Sequence, residues 1–245
     1  MVDLIKKAAA ALKESKFNVV FTGAGVSVES GIPPFRGATG LWSKYDPKVL
    51  DLDYFHDYPD DAWFYIREIF YDFFGKARPN EAHRVIARME QEGLLKCVIT
   101  QNIDNLHQEA GSKVVYEFHG NSQILVCPKC GNKIPVGKVD LKTIPPRCNH
   151  DGTVLKPDFI FFGEGIPEAA YLNSFEAARN AEVFMIIGTT GEVMPASIVP
   201  QEAKRRGALI IEINPEKSLY TNDITDIYLP GKAGEVMTEI EKYLF

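Results

Sequence analysis

Hydrophobic residues recur along this chain in two patterns, and the order of those patterns indicates the fold. Apolar side chains first follow helical spacing over residues 4–12. Short, almost continuously apolar runs of strand length then alternate with helix-like segments. The apolar runs are 17–22, 95–100, 183–187 and 208–213, and the helix-like segments are 80–92, 167–180 and 195–206. This alternation predicts an α/β fold, a Rossmann-like parallel sheet covered by helices on both faces.

Two stretches interrupt the alternation and indicate a second, smaller domain. Residues 36–76 are rich in aromatic side chains and helix-like, whereas residues 121–158 combine cysteine, proline, glycine and lysine with weak periodicity. We expect both stretches to be insertions that fold together as the small domain. The large domain would then comprise about 1–35, 77–120 and 159–245, so that residues 1–245 form one functional unit.

Composition and charge narrow the class of protein. The 245 residues are 45% hydrophobic and 24% charged, which fits a globular protein and excludes collagen-like and disordered chains. A formal net charge of −6 repels nucleic-acid phosphates, so we expect no direct nucleic-acid partner. No apolar run approaches the roughly 20 residues that span a bilayer, and the charged first segment does not resemble a signal peptide. We therefore expect a cytoplasmic protein with no membrane association, and a monomer.

Gly23, Ala24 and Gly25 lie directly after the first predicted strand, where a tight turn opens into a helix. The backbone N–H groups of such a turn favour a diphosphate, as in dinucleotide-binding α/β domains. The dinucleotide fingerprint has a small residue three positions after its second glycine, and here that position is Val28. The glycines alone are therefore equally compatible with a diphosphate site and with a turn that needs glycine only for a positive φ.

Polar residues follow the second predicted strand and a later alternating run. Asn102 and Asp104 come just after 95–100, at the carboxyl end where open α/β sheets bind ligands. Their side chains can donate to and accept from a carboxamide, and either would also serve as a helix N-cap. His119 follows the run 115–118. Histidine titrates near neutral pH and can act as a general base, but a lone histidine is more often structural, so the residue by itself leaves both roles open.

Taken in order, these motifs resemble the signature of the sirtuins, a family of NAD-dependent protein deacylases. The resemblance begins in the run 23–37 and extends over essentially the whole chain. The later segments that carry it are Gln101-Asn102-Ile103-Asp104, Phe118-His119-Gly120, Cys127-x-x-Cys130, Phe162-Gly163-Glu164, Gly188-Thr189-Thr190 and Gly231-Lys232-Ala233-Gly234-Glu235. The resemblance implies a deacetylase that uses NAD as cofactor and acetylated lysine-containing proteins or peptides as partners. Its products would be nicotinamide, free lysine and O-acetyl-ADP-ribose.

The resemblance also implies roles for individual residues. His119 would act as the base for a ribose hydroxyl, and Asn102 and Asp104 would be its catalytic partners in the nicotinamide pocket. Phe35 and Arg36 lie on a loop that would cover the cofactor. The further residues implied for NAD binding are Gly23, Ala24, Gly25, Glu29, Gln101, Ile103, Gly188, Thr189, Thr190, Asn214, Pro215, Glu216 and Ala233.

The resemblance implies that two segments hold the acyl-lysine peptide. The first forms the acyl-lysine tunnel and a backbone edge that pairs with the peptide, and the second lies on the other side of the bound peptide. These segments contain Ile160, Phe161, Phe162, Gly163 and Glu164 in the first, and Glu192 and Val193 in the second. Glu192 stands where the family usually has an apolar residue. Its carboxylate would either favour peptides with basic residues near the acyl-lysine or point into solvent, and both interpretations stay open.

Four residues of the second insertion are implied to hold a structural zinc ion. The family has two Cys-x-x-Cys pairs, and here Cys127 and Cys130 form the first, whereas the second is reduced to Cys148 and Asp151. Zinc accepts carboxylate oxygen or imidazole nitrogen, so Asp151 or the neighbouring His150 can complete the site. An insertion that has lost its metal is the alternative. We favour zinc, with Asp151 as the fourth ligand.

Other activities are compatible with parts of this pattern. A mono-ADP-ribosyltransferase, or a deacylase of longer acyl chains, would use the same cofactor. A catalytically silent binder of NAD or ADP-ribose would not need His119, and a zinc-ribbon module for nucleic acid fits poorly with the acidic charge. Among acyl groups the resemblance disfavours succinyl, because Ile66 and Ile69 occupy the positions where succinyl-removing sirtuins carry Tyr and Arg.

Overall fold

The computed structural model describes residues 1–35, 40–73 and 77–245, and its strands form two separate sheets. The strands are β1 (Asn18–Thr22), β2 (Cys97–Thr100), β3 (Val115–Glu117), β4 (Gly120–Val126), β5 (Lys133–Pro135), β6 (Lys156–Phe159), β7 (Val183–Ile187), β8 (Leu209–Asn214) and β9 (Ile227–Pro230). The α-helices are α1 (Val2–Glu14), α2 (Leu52–Asp57), α3 (Pro59–Ile66), α4 (Glu81–Gln91), α5 (Leu106–Ala110), α6 (Glu168–Asn180), α7 (Ile198–Arg205) and α8 (Ala233–Leu244). Shorter segments are the 3₁₀-helical Ala24–Ser30, Leu41–Ser43, Pro47–Leu50 and Val136–Lys138 and the π-helical Arg67–Phe73.

Strand β1 lies inside a six-stranded parallel sheet with the order β3-β2-β1-β7-β8-β9. All five residues of β1 are buried, because the strand is paired on both edges and covered on both faces. Side-chain alternation places Val20 in the core formed with α1, α4 and α8, and Val19 and Phe21 in the core formed with α6 and α7. The predicted fold class, a parallel sheet with helices on both faces, is confirmed.

The predicted strands and the helices before them are present, with ends that differ from the prediction by up to three residues. Parts of the fold that are not among the predicted elements include helix α8, the edge strand β9 and the antiparallel sheet of β4, β5 and β6. Strand β9 has four residues and buries only Ile227 and Leu229, with half-buried Tyr228 and exposed Pro230. So short a run gives a weak hydrophobic signal.

The three-stranded sheet, in the order β5-β4-β6, packs with α2, α3 and the π-helical segment around one hydrophobic core, called the small core below. Trp63 is fully buried in this core, and its indole Nε1–H donates to the Leu155 carbonyl oxygen at 2.8 Å. A parallel bridge between Asp51 and Phe162 joins the first insertion to the segment after β6. Elements from both insertions thus pack together, and the residue boundaries of the two domains stay a prediction.

Candidate active site

Two glycine turns meet where β1 and β7 end. The N–H of Gly25 donates to the carbonyl oxygen of Gly188 at 2.8 Å, so the two backbones are in direct contact. A Cβ on Gly25 would lie 2.6 Å from the Gly188 Cα, and one on Gly188 would lie 2.3 Å from the Val26 nitrogen. Gly188 also has φ of 66°, in the region that favours glycine. The glycines therefore permit a close approach at the carboxyl edge of the sheet, where α/β proteins bind ligands.

Side chains at the ends of neighbouring strands form hydrogen bonds with one another along the same edge of the sheet. Gln101, after β2, donates from Nε2 to Thr189 Oγ1 at 3.1 Å, and Asn214, at the end of β8, donates from Nδ2 to the Thr189 carbonyl oxygen at 2.8 Å. The structure thus brings predicted cofactor residues from four strand ends together. Further residues of that prediction lie exposed beside them, namely Thr190, Pro215 and Glu216.

Glu29 and Ala233 meet at the first turn of α8. The carboxylate of Glu29 accepts from the N–H of Gly234 at 2.7 Å, and Ala233 is buried next to it. An acidic side chain at a helix N-terminus is stabilised by the unpaired N–H groups there. Glu29 therefore holds α8 against the glycine turn, and its predicted contact with a cofactor stays a prediction.

Asn102 and Asp104 belong to a polar cluster in which both side chains are hydrogen-bonded to Ser27. The Asn102 Nδ2 donates to Ser27 Oγ at 3.1 Å, and Ser27 Oγ donates to Asp104 Oδ2 at 2.6 Å. The N–H of Leu106 donates to the other Asp104 oxygen at 3.0 Å, so Asp104 also caps the start of α5. Burial raises the pKa of Asp104 above its usual range. Ile103 turns the other way and is buried among the residues of the small core.

Two buried histidines extend this network, and the sequence did not single them out. The N–H of Asn80 donates to His83 Nδ1 at 3.3 Å, so the ring proton is on Nε2, which lies 3.4 Å from Ser27 Oγ. Burial lowers the pKa of His83 to about 4, so the ring is neutral near pH 7. His107 lies 4.8 Å away, ring to ring, with Nε2 2.9 Å from Thr22 Oγ1. The capping sequence Asn80-x-x-His83 was the available signal.

His119 is half-buried at the end of the run after β3, and one of its nitrogens is held by the backbone. Its Nδ1 lies 3.1 Å from the carbonyl oxygen of Gln101. Because a carbonyl oxygen only accepts, Nδ1 carries the proton and Nε2 keeps its lone pair. Burial lowers the pKa of His119 below its ordinary value, so the neutral ring predominates at pH 7. The tautomer and the charge state are those of a general base acting through Nε2.

Three aromatic rings form a row between the cofactor loop and the predicted substrate segment. The Phe35 and Trp42 rings are 5.5 Å apart between centroids, and the Trp42 and Phe162 rings are 6.4 Å apart. Phe162 is 48% exposed, so the end of the row is open to solvent. Arg36 lies outside the described residues. The row forms an apolar wall of the kind that excludes water from a reacting group.

The predicted substrate residues occupy different environments. Phe161 is fully buried in the small core, whereas Gly163 is exposed. Ile160 donates its N–H to the His119 carbonyl oxygen at 2.9 Å, which places the segment directly beside the candidate base. Glu164 is half-buried, with its carboxylate turned toward its own loop. On the second segment Glu192 is exposed, and the Val193 carbonyl oxygen accepts from Ser197.

Four ligand atoms in the second insertion converge as a metal site requires. The ligand atoms of Cys127, Cys130, Cys148 and Asp151 all lie within 4.8 Å of one another. The Sγ atoms of Cys130 and Cys148 are 3.7 Å apart, and Cys127 Sγ is 3.6 Å from either Asp151 oxygen. Tetrahedral ligands with zinc–sulfur bonds of about 2.3 Å are about 3.8 Å apart, so the cluster fits a zinc ion. The Thr153 N–H lowers the pKa of Asp151 to about 2, which keeps this ligand ionised.

We expect protein purified without chelator to contain about one zinc ion per chain, held with Asp151 as the fourth ligand. Asp151→Ala should lose zinc to a mild chelator much faster than the unchanged protein, because three ligands remain. His150→Ala, at the adjacent exposed position, is the matched control and should retain the metal. Elemental analysis after chelator treatment measures both. Equal zinc loss from the two variants would contradict the assignment of Asp151.

The glycine turns, the Asn102 and Asp104 side chains and the candidate base His119 together indicate a class of protein. They describe an α/β nucleotide-binding domain equipped for proton transfer at the carboxyl edge of its sheet. The Sir2 family model matches residues 23–195, which is more than half of the chain. The chain belongs to the Sir2 family.

Curated relatives and a solved structure agree with this membership over nearly the full length. The chain is 42% identical to NAD-dependent protein deacetylase 1 of Pyrobaculum aerophilum, over 97% of this chain and 94% of that protein. It is also 42% identical to an NAD-dependent protein deacylase of Aeropyrum pernix, over 98% of each chain. A Sir2 variant with a deacetylated p53 peptide and 3′-O-acetyl ADP-ribose matches with a TM-score of 0.92 and 33% identity, covering 97% of both chains.

Proposed function

We propose that this chain is an NAD-dependent protein-lysine deacetylase that transfers the acyl group to ADP-ribose and releases nicotinamide. The observation that carries the proposal is His119, whose Nδ1 donates to the carbonyl oxygen of Gln101 and whose Nε2 is left to accept a proton. Gln101 in turn donates from its side chain to Thr189, next to Gly188, so the base and the glycine turns are linked through one residue. The relatives named above are deacetylases and deacylases that depend on NAD. The solved Sir2 structure with a deacetylated peptide and acetyl ADP-ribose contains two of the three products that such a reaction yields.

The residues of the carboxyl edge fit NAD. The close approach of Gly25 and Gly188 leaves no room for a Cβ on either residue, so two turns without side chains meet at the strand ends, where α/β domains bind a diphosphate. Asn102 and Asp104 present an amide and a carboxyl group, which match the donor and acceptor of a carboxamide. Bound NAD supplies a nicotinamide leaving group and a ribose carbon that can accept the acyl oxygen.

The other residues around this edge would then each have a separate role in the reaction. His119 Nε2 takes up the proton of a ribose hydroxyl, while its Nδ1–H stays on the Gln101 carbonyl oxygen and keeps the ring oriented. Phe35 and Phe162, at the two ends of the aromatic row, exclude water from the acyl group. The buried network of Ser27 and His83 fixes the directions of the Asn102 amide and the Asp104 carboxyl group.

The proposal is tested by incubating the protein with an acetyl-lysine peptide, with and without NAD. We expect nicotinamide, deacetylated peptide and O-acetyl-ADP-ribose in equal amounts, and none of them without NAD. An ADP-ribosyltransferase would instead label protein with ADP-ribose whether or not the lysine is acetylated. A silent binder would retain NAD and form none of these products, and either result would overturn the proposal.

The acyl preference gives a second measurement. Ile66 and Ile69 are fully buried in the small core and are apolar, so they offer no partner to the carboxylate of a succinyl group. An uncompensated buried charge is costly, and we expect acetyl-lysine peptides to be processed at least about 100-fold more efficiently than succinyl-lysine ones. The comparison is kcat/KM on one peptide carrying either group. Comparable values would reject this explanation of acyl choice.

Acetylated peptides are the partner class that this proposal requires. A preference for basic residues near the acyl-lysine through Glu192, a cytoplasmic location and a monomeric state stay predictions. Within the residues that the structure describes, no helix has both the length and the apolar composition needed to cross a membrane.

A further inference from the structure

The segment that carries Phe162 is anchored by a buried lysine. The Lys156 side chain is 9% exposed, and its Nζ lies 2.9 Å from Glu164 Oε2. The same ammonium group donates to the carbonyl oxygens of Pro157 at 2.9 Å and Phe159 at 2.7 Å. An ammonium group has three donors, so all three have acceptors here. Nζ also lies 4.2 Å from the centroid of the Phe161 ring, a favourable position for a cation over an aromatic face.

Glu164 closes the segment into a tight turn. Its Oε2 accepts from the Phe161 N–H at 2.7 Å, and its own N–H donates to the Phe161 carbonyl oxygen at 3.0 Å. Gly163, at the third position of this turn, has φ of 94°, which a type II turn requires. The Glu164 carboxylate therefore binds two groups at once, the backbone N–H of Phe161 in the turn and the ammonium group of Lys156.

The turn also presents Phe162 to the aromatic row. The Phe162 N–H donates to the Leu50 carbonyl oxygen at 2.8 Å, and its carbonyl oxygen accepts from the Leu52 N–H at 3.0 Å. These bonds hold the backbone of Phe162, while its ring faces Trp42. A shift of the turn would therefore move the exposed ring and the adjacent backbone edge together.

We propose that Lys156 and Glu164 are positioning residues that hold the 161–164 turn in the geometry needed to bind the acyl-lysine peptide. This proposal rests on the proposed function, in which the turn borders the substrate. A buried ion pair is strongly destabilised when one partner is removed, because the other charge is left uncompensated. Loss of either partner should therefore displace the turn, whereas the nucleotide edge, built from other strands, should keep its structure.

Glu164→Gln and Lys156→Met test the pair with little change in side-chain volume. We expect the KM for an acetyl-lysine peptide to rise about tenfold in each variant, since displacements near 1 Å can cost up to about two orders of magnitude. The KM for NAD should stay within about twofold, because the glycine edge is unchanged. If Lys156→Met does not fold, Glu164→Gln carries the measurement alone.

Lys133→Met is the matched control. Lys133 pairs with Asp158 at 2.6 Å on the same sheet, but its side chain is 63% exposed, so the pair should contribute little. Both KM values should therefore stay at the level of the unchanged protein. Equal changes in the peptide and NAD KM values of Glu164→Gln, or changes as large in Lys133→Met, would overturn the proposal.

Hydrogen exchange of the turn separates this proposal from the proposed function, because it does not depend on activity. The backbone amides of Phe161 and Glu164 should exchange faster in Glu164→Gln and Lys156→Met than in the unchanged protein, and not faster in Lys133→Met. A protein that deacetylates no peptide would refute the proposed function, while amide exchange would still report whether the pair holds the turn. Unchanged exchange in both variants would refute the anchoring role itself.

Discussion

Replacement of His119 by alanine is expected to lower turnover about 100-fold or more, the usual contribution of a positioned general base. The reason is geometric, because Nδ1 is held by the Gln101 carbonyl oxygen and Nε2 is left to accept the proton. The affinity for NAD should change by no more than a few-fold, since Gly25, Gly188 and Asn102 are untouched. Single-turnover assays with an acetyl-lysine peptide, together with NAD titration, measure the two effects separately.

The pH dependence and a second histidine provide the controls for this result. Burial lowers the pKa of His119 from its ordinary value of 6.5, and the active form is the neutral one. Activity should therefore fall as pH decreases through a midpoint below 6.5, and it should be independent of His119 ionisation at pH 7 and above. His56→Ala changes an exposed histidine and should leave turnover intact. Turnover near the normal level in His119→Ala would remove His119 from the mechanism.

Gly188→Ala is expected to weaken NAD binding about tenfold or more and to destabilise the fold. The new Cβ would lie 2.3 Å from the Val26 nitrogen, so one of the two turns must move. The left-handed backbone costs about 1–2 kcal/mol in a residue with a Cβ. Overpacking adds about 1–3 kcal/mol. Chemical denaturation gives the loss in free energy of unfolding, and the KM for NAD reports the displacement of the turn.

Gly207→Ala separates these two contributions. Gly207 has φ of 96°, also left-handed, but apart from its chain neighbours no atom of the described residues lies within 4 Å of the position its Cβ would take. This control should therefore show the backbone cost alone and leave the KM for NAD unchanged. If the two variants lose equal stability and bind NAD equally well, the contact between the turns does not shape the nucleotide site.

The central strands could be predicted from the sequence because strands in this environment have a simple hydrophobic pattern. Strands β1 and β7 are buried on both faces, so β7 is apolar throughout and β1 is apolar between Asn18 and Thr22. The glycines after the two strands mark where they end. The order of strands in the sheet left no comparable signal, because pairing between β1 and β7 depends on contacts between distant segments. The antiparallel sheet was missed for a related reason, since its strands are short and partly exposed.

The residue pattern by itself locates site residues at strand ends, whereas those on helices and loops were implied only by the family resemblance or were not found. Asn102 and Asp104 follow a recognisable strand, and their position implied a ligand. His83 lies on the buried side of α4, where a pattern does not distinguish a core histidine from one that reaches Ser27. The direction of the Glu164 carboxylate was equally unreadable, because it depends on a lysine eight positions earlier that is buried only in the folded chain.

The position of β1 inside the sheet has a consequence for how the chain folds. On one side Thr22 bonds to Thr100, 78 positions away. On the other the N–H of Lys16, two residues before the strand, donates to the Glu182 carboxylate, 166 positions away. Such non-local pairings are slow to form. Until β7 is in place, β1, with its apolar residues 19–21, is an unprotected edge that can pair with another chain. Aggregation during refolding therefore competes with the slow pairing of β1 with β7. Dilute conditions favour the native protein, because they slow the contact between chains.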